Sequence, residues 1–307
     1  MNTATLPDTA REVRAARSVR GIVRVPGDKS ISHRAALFNA LADGQARISN
    51  FSPGADCAST LRCLGDLGVP VARQGADVVI SGVGLRGLQE PADVLDCGNS
   101  GTTMRLLTGI LAGSNLYAVL SGDASLRQRP MARVIDPLRQ AGARIDARAG
   151  GRLAPVTVAP GDGLRGTEHR LSVASAQVKS ALVLAGLFAD GPFRITEPAA
   201  TRDHTERMLS AMGAQVHTAG LSITVEPAQR LRSFDAQVPG DFSAAAFWLA
   251  LGCLHPRAEV RITDVGVNPT RTGLLTILRS MGAQVTVENP REVAGEPVAD
   301  LTARSSG

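Results

Sequence analysis

The chain has 307 residues, of which 44% are hydrophobic and 20% charged, with a formal net charge of +5 and only one Trp and one Tyr. That length corresponds to about two domains, enough to bury a core without disulfides or metals, and the composition excludes a disordered chain. The lack of aromatic platforms argues against a nucleic-acid partner, so the positive charge is better matched to small anions.

Residues 1–20 carry Asp8, Glu12 and four arginines around no apolar core. They therefore read neither as a secretory leader nor as a transit peptide, and a cytoplasmic location is expected. The uncharged stretch 106–122 is broken by Gly113-Ser114-Asn115, and 242–254 is too short for a bilayer. Cys57, Cys63, Cys97 and Cys253 make no C-x-x-C spacing and the five histidines are scattered, which predicts reduced structural thiols and no metal site. Among the 33 basic residues only Lys29 and Lys179 are lysines.

One phrase, x-apolar-Gly-small-x-apolar, occurs four times, at 66–71, 140–145, 211–216 and 280–285. Each copy follows a helical run and precedes strand-like residues. Gly68, Gly142, Gly213 and Gly282 are thus expected just past helix C-termini, where the backbone turns left-handed. Upstream, a first helix is expected to open at Asp28-Lys29-Ser30, Asn99-Ser100-Gly101, Ala174-Ser175-Ala176 and Asp241-Phe242-Ser243, all of which offer N-caps. Aligning the units on Ser30, Ser100, Ser175 and Ser243 gives each the order helix, strand, helix, two strands. The segment 227–233 is a candidate bridge between domains.

Chemistry concentrates at the helix starts. Lys29 in a first turn opposes the helix dipole and calls for an anion, and Arg34 lies one turn beyond Ser30 on the same face; the plain alternative is an Asp28 cap with both cations solvated. The glycine-rich start at 95–105 allows close backbone approach by a ligand, or serves as a turn. Arg127 and Arg129 precede Pro130, which is expected in the first turn of a helix. With Arg202 and Arg271, each 11 residues before its glycine, they place arginine at one level of three units and outline a positive floor. Ser175 and Gln177 add polar donors, although capping alone accounts for Ser175. Asp203 and Arg207 form an i,i+4 pair, and His204 is read as structural in preference to an acid or base.

Five segments, taken together and in order, resemble a known family. They are Pro-Gly-Asp-Lys-Ser-Ile-Ser-His-Arg at 26–34, Gly-Asn-Ser-Gly-Thr-Thr-Met-Arg at 98–105, Arg-Gln-Arg-Pro-Met at 127–131, Ser-Ala-Gln-Val-Lys-Ser-Ala at 175–181 and Thr-Arg-Asp-His-Thr-Glu at 201–206. The family is the enolpyruvyl transferases, and within it the EPSP synthases of the shikimate pathway. One departure is Leu106, where a proline often follows Met-Arg. The resemblance implies an α/β fold of repeated βαβαββ units, an inside-out α/β barrel with three units per domain. Residues 25–236 would then form one complete domain, and 1–24 with 237–307 one repeat of a second, so the chain reads as incomplete at its C-terminal end.

The same resemblance implies a role for each motif. Shikimate 3-phosphate would meet Lys29, Ser30, Arg34, Ser175, Ala176 through its backbone, Gln177, Thr201 and Arg202. Phosphoenolpyruvate would meet Lys29, Asn99, Gly101, Arg129 and Gln177, with glyphosate taking its place. The reaction implied adds the shikimate 5-hydroxyl to C2 of phosphoenolpyruvate, protonates C3 and then expels phosphate. The family's acid/base carboxylates fall beyond residue 307, so no catalytic residue is assigned and negligible turnover is expected of these residues alone. No cofactor, metal, nucleic acid or membrane is implied, and a monomer is expected at full length. The alternatives are the sister transferase acting on UDP-N-acetylglucosamine and a non-catalytic anion-binding remnant. The first typically has Lys-Asn where this chain has Lys29-Ser30, and a loop cysteine absent near Arg129.

Overall fold

The computed structural model describes residues 15–306, so most of the stretch read for a leader, and Gly307, lie outside the described residues. Strand β1 (Val19–Arg24) leads into the first repeat: α1 (Lys29–Ala40), β2 (Asp43–Ser49), α2 (Ala55–Asp66), β3 (Val71–Gln74) and β4 (Asp77–Val83). The second has β5 (Leu95–Asp96), α3 (Gly101–Ser114), β6 (Ala118–Ser121), α4 (Ala132–Gln140), β7 (Arg144–Ala147), a single turn α5 (Arg148–Gly151) and β8 (Leu153–Ala159). The third has β9 (Glu168–Arg170), α6 (Ala176–Gly186), β10 (Phe193–Thr196), α7 (His204–Ala211), β11 (Val216–Ala219) and β12 (Ser222–Val225). The fourth has β13 (Ala236–Gln237), α8 (Phe242–Leu254), β14 (Ala258–Gly266), α9 (Gly273–Ser280), β15 (Gln284–Val293) and β16 (Glu296–Arg304).

The punctuation of the repeats is as expected. Gly68, Gly142, Gly213 and Gly282 all have φ between +83° and +103°, the left-handed turn that ends each second helix. The caps differ between units. Ser100 and Ser175 accept from Thr103 and Val178 N–H, whereas Asp28 and Asp241 take that place on α1 and α8. Aligning the serines therefore misplaces two units, since Ser30 and Ser243 lie inside their helices. Pro130 precedes α4 instead of entering its first turn, and Met131 occupies the N-cap position.

The first helices of the first three repeats, α1, α3 and α6, lie inside. Residues 30–40 of α1 and 178–186 of α6 are all buried, as suits helices without a polar face. α3 packs against α6 at Gly109, where a Cβ would fall 2.2 Å from the Ala181 carbonyl oxygen; only glycine permits that approach. One hydrophobic cluster runs from Ile31 to Val238 and a second joins Val25 to residues of 242–303. In the second part, Phe247 and Leu254 of α8 and Met281 after α9 are at least 75% exposed.

Each four-stranded sheet has one plan: a parallel strand, the strand between the two helices, then the closing hairpin. β5 and β9 serve their own repeats, but β1 pairs with β14 and β13 pairs with β2. The chain thus passes between the two parts twice. The passages bond to each other, Asp28 N–H to the Pro239 carbonyl at 2.8 Å and Asp241 N–H to the Pro26 carbonyl at 2.9 Å. Residues 227–233, expected to bridge the parts, instead return to the first repeat, where the Leu231 carbonyl accepts from Asp43 N–H.

Candidate active site

The starts of α1, α3, α6 and α8 open on one cleft of about 570 Å³, lined among others by Lys29, Ser30, Thr102, Gln177, Arg202, Asp241 and Arg271. A second cavity of about 440 Å³ shares Ser30, Thr102, Gln177 and Arg202 and adds Arg34, Ser175, Ala176, Thr201 and Thr270. Helix N-termini carry unpaired N–H groups and partial positive charge, so the shared wall favours anions.

All eight residues expected to bind shikimate 3-phosphate line these two spaces. Ser30 Oγ accepts from Arg202 Nη1 at 3.0 Å. Arg34 is 2% exposed and donates to Thr205 Oγ1 (2.7 Å), Ser180 Oγ (2.7 Å) and the Ser30 carbonyl (2.9 Å). Burial pushes its guanidinium down to about 10. Gln177 bridges two helices, accepting from Arg105 and donating to Thr102 Oγ1 at 2.9 Å. Thr201 donates to Glu197, which with Glu206 grips the buried Lys179 ammonium at 2.9 and 2.7 Å.

Asn99, Gly101 and Arg129 gather at the rim. Asn99 accepts from Arg129 and donates to Asp123 at 2.6 Å. A Cβ on Gly101 would lie 2.7 Å from Arg105 Nη1 and 3.4 Å from Arg129 Nη1. Two guanidiniums therefore converge where only a glycine stands. Burial, then the neighbouring Arg129 and Arg133, hold the Arg105 guanidinium below its ordinary value. Among the described residues no carboxylate forms an ion pair with Arg34, Arg105, Arg129 or Arg202.

Two expectations need correction. Lys29 is not an uncompensated cation, because Asp56 in the first turn of α2 meets its Nζ at 2.9 Å. Nor do three arginines make one floor. Arg202 and Arg271 share the cleft, yet Arg271 is paired with Asp241 at 3.1 Å and lies 3.7 Å from Asp28, while Arg129 stands apart at Gly101. Burial and the nearby Asp241 push the Asp28 carboxyl up. Sequence reasoning missed Arg105 as a site residue, although it lies one helical turn from Gly101 on the same face; Asp241 was legible only as a cap. Asp203 and Arg207 pair at 2.8 Å as expected, and His204 is buried against Glu296. The four cysteines are buried and free.

The EPSP synthase (3-phosphoshikimate 1-carboxyvinyltransferase) family model matches residues 13–304. The chain belongs to the EPSP synthase family. Among curated EPSP synthases, the 3-phosphoshikimate 1-carboxyvinyltransferase of Desulforudis audaxviator is 53% identical over 296 residues, covering 96% of this chain and 69% of the relative. That of Geobacillus kaustophilus is 52% identical over 289 residues, covering 94% and 67%. A solved EPSP synthase from Acinetobacter baumannii superposes with a TM-score of 0.88 at 45% identity, covering 94% of this chain and 66% of that one. The chain thus spans about two thirds of the length of the EPSP synthases it matches. The family and the α/β fold expected from the motifs are borne out, and the assignment is to a family of transferases. Among the described residues no helix is long and apolar enough to cross a membrane.

Proposed function

We propose that the protein transfers the enolpyruvyl (carboxyvinyl) group of phosphoenolpyruvate to the 5-hydroxyl of shikimate 3-phosphate, releasing phosphate, and that these residues supply the shikimate 3-phosphate site and one wall of the phosphoenolpyruvate site. Arg34 and Arg202, with Ser30, Ser175, the Ala176 backbone, Gln177 and Thr201, hold shikimate 3-phosphate. Arg105 and Arg129 over Gly101, braced by Asn99, take phosphoenolpyruvate, and Lys29 stands between the two. The observation that carries this reading is that, among the described residues, Arg34 and Arg202 line cavities walled by helix starts and Arg105 and Arg129 converge at Gly101, all four without a carboxylate partner. Fixed positive groups align two polyanions and offset the charge that develops as the hydroxyl attacks. The same reading divides the chain at 25–236 and has the protein act in the cytoplasm as a monomer on small molecules.

Calorimetry on this chain tests the reading. Shikimate 3-phosphate is expected to bind, and added phosphoenolpyruvate or glyphosate to tighten it. Affinity should fall steeply with salt. Absence of heat at millimolar shikimate 3-phosphate in low salt would overturn it.

A further inference from the structure

Arg202 and Arg271 face one cleft from opposite sides of the boundary between the two parts, each at the approach to a second helix. Burial and the proximity of Arg271 hold the Arg202 guanidinium below its ordinary value, so the two repel. Ser30 holds the Arg202 tip, and Asp241 and Ser243 hold that of Arg271, while the backbones that carry the two are tied separately. The loop between β14 and α9 contains Asn268, a 2% exposed side chain with every polar atom engaged. Its Oδ1 accepts from Thr270 N–H (2.9 Å) and Thr270 Oγ1 (2.7 Å), and its carbonyl accepts from Arg271 N–H (2.8 Å). Its Nδ2 donates across the boundary to Asp203 Oδ1 (2.6 Å) and also to Glu296 (3.2 Å). The amide orientation is fixed by chemistry, since the reverse would set an oxygen against two carboxylates. Asp203 follows Arg202 directly and does not cap α7; its carboxylate is spent on Asn268 and Arg207.

We propose that Asn268 is a positioning residue that, through Asp203 on one side and the Thr270–Arg271 turn on the other, sets the separation of Arg202 and Arg271 and so preforms the anion site. Asn268 itself lines neither cavity. The proposal rests on the function proposed above. It explains why a buried amide, and not a charged or apolar side chain, stands at the junction: only an amide supplies acceptors to its own loop and donors to two carboxylates at once.

The test uses Asn268→Ala, Asp203→Ala and the double variant, titrated with shikimate 3-phosphate by calorimetry, with thermal melts alongside. Asn268→Ala is expected to weaken binding about tenfold or more, the scale of a small misplacement of binding groups. Asp203→Ala, at a side chain 32% exposed, is expected to weaken it too. That sign is decisive, because deleting a negative charge near an anion site would by electrostatics alone tighten binding. The double variant should lose no more than the worse single one, as for residues acting in series. Unchanged binding in Asn268→Ala, tighter binding in Asp203→Ala, or additive losses would each overturn the proposal. Should the wild-type chain bind no shikimate 3-phosphate, the functional reading fails separately, and amide exchange in the same samples judges the tie. Faster exchange at both 203–207 and 270–273 in Asn268→Ala supports it, and a change confined to 270–273 overturns it.

Discussion

The Lys29 ammonium sits 2.9 Å from the Asp56 carboxylate, so the cation at the start of α1 is balanced by an acid in the first turn of α2. The Lys29 side chain is half exposed, and such pairs contribute at most about 1 kcal/mol. Lys29→Ala is therefore expected to change folding stability by less than about 1 kcal/mol while weakening shikimate 3-phosphate binding. Asp56→Asn, which frees the ammonium, should tighten that binding in low salt. Urea unfolding and calorimetry on the pair check both; weaker binding in Asp56→Asn would mean that the acid holds Lys29 in its working position.

Two buried cations should respond unequally to the same change. Lys179 is clasped by Glu197 and Glu206, so Lys179→Met strands two buried carboxylates and is expected to cost about 3–5 kcal/mol. Arg34 has only neutral partners, and Thr205 and Ser180 also bond each other at 2.6 Å. Arg34→Met is expected to cost no more than about 2 kcal/mol, since its own charge is expensive to bury, yet to abolish shikimate 3-phosphate binding. Denaturant midpoints at constant slope rank the two.

His33 sets an acid-side dependence. The ring is fully buried, with Nδ1 2.7 Å from Thr60 Oγ1 and Nε2 without a partner, and burial followed by the adjacent Arg34 pushes it down to about 3. Between the ordinary histidine value and about pH 3 the unfolded chain binds the proton and the folded one does not. Stability is thus fully present above that ordinary value and is lost as pH falls toward 3. From pH 7 to 4 the loss from this group is on the order of 3 kcal/mol, and His33→Leu should remove that slope. Unfolding free energies of both proteins at the two pH values decide it.

At Gly101 a methyl group would meet the Arg105 tip at 2.7 Å and push it from Gln177. Gly101→Ala is expected to weaken phosphoenolpyruvate several-fold and glyphosate, the longer molecule, by more. Titrations with shikimate 3-phosphate present compare the two; unchanged glyphosate affinity in the variant would place the glycine outside the inhibitor's contact shell.

What could be read from the sequence was local. The helix-ending glycines recur with an unmistakable neighbourhood, and the helix starts carry side chains whose capping role does not depend on the rest of the fold. The partners that shape the site are distant instead. Arg34 finds Thr205 and Ser180 more than 140 positions away, and Lys29 finds Asp56 on another helix. Asn268 carries no local mark, because its two jobs belong to different segments. The exchange of β1 and β13 carries no local mark either: the grouping of 1–24 with 237–307 comes from the resemblance, and the pairing of the two-residue β13 with β2 is chosen by packing.

That exchange bears on how the chain is made. Among the described strands β1 is the first made, yet it pairs with β14, about 240 residues later, which at roughly 5–20 residues per second leaves it without its partner for about 10–50 seconds of synthesis. For that time its backbone donors are an open edge, and Ile22, still 72% exposed in the finished fold, is available to any passing strand. Arg20 and Arg24 bracket Gly21-Ile22-Val23, placing charge on both sides of the apolar pair. Like charges on such an edge disfavour its pairing with a second copy of the same strand.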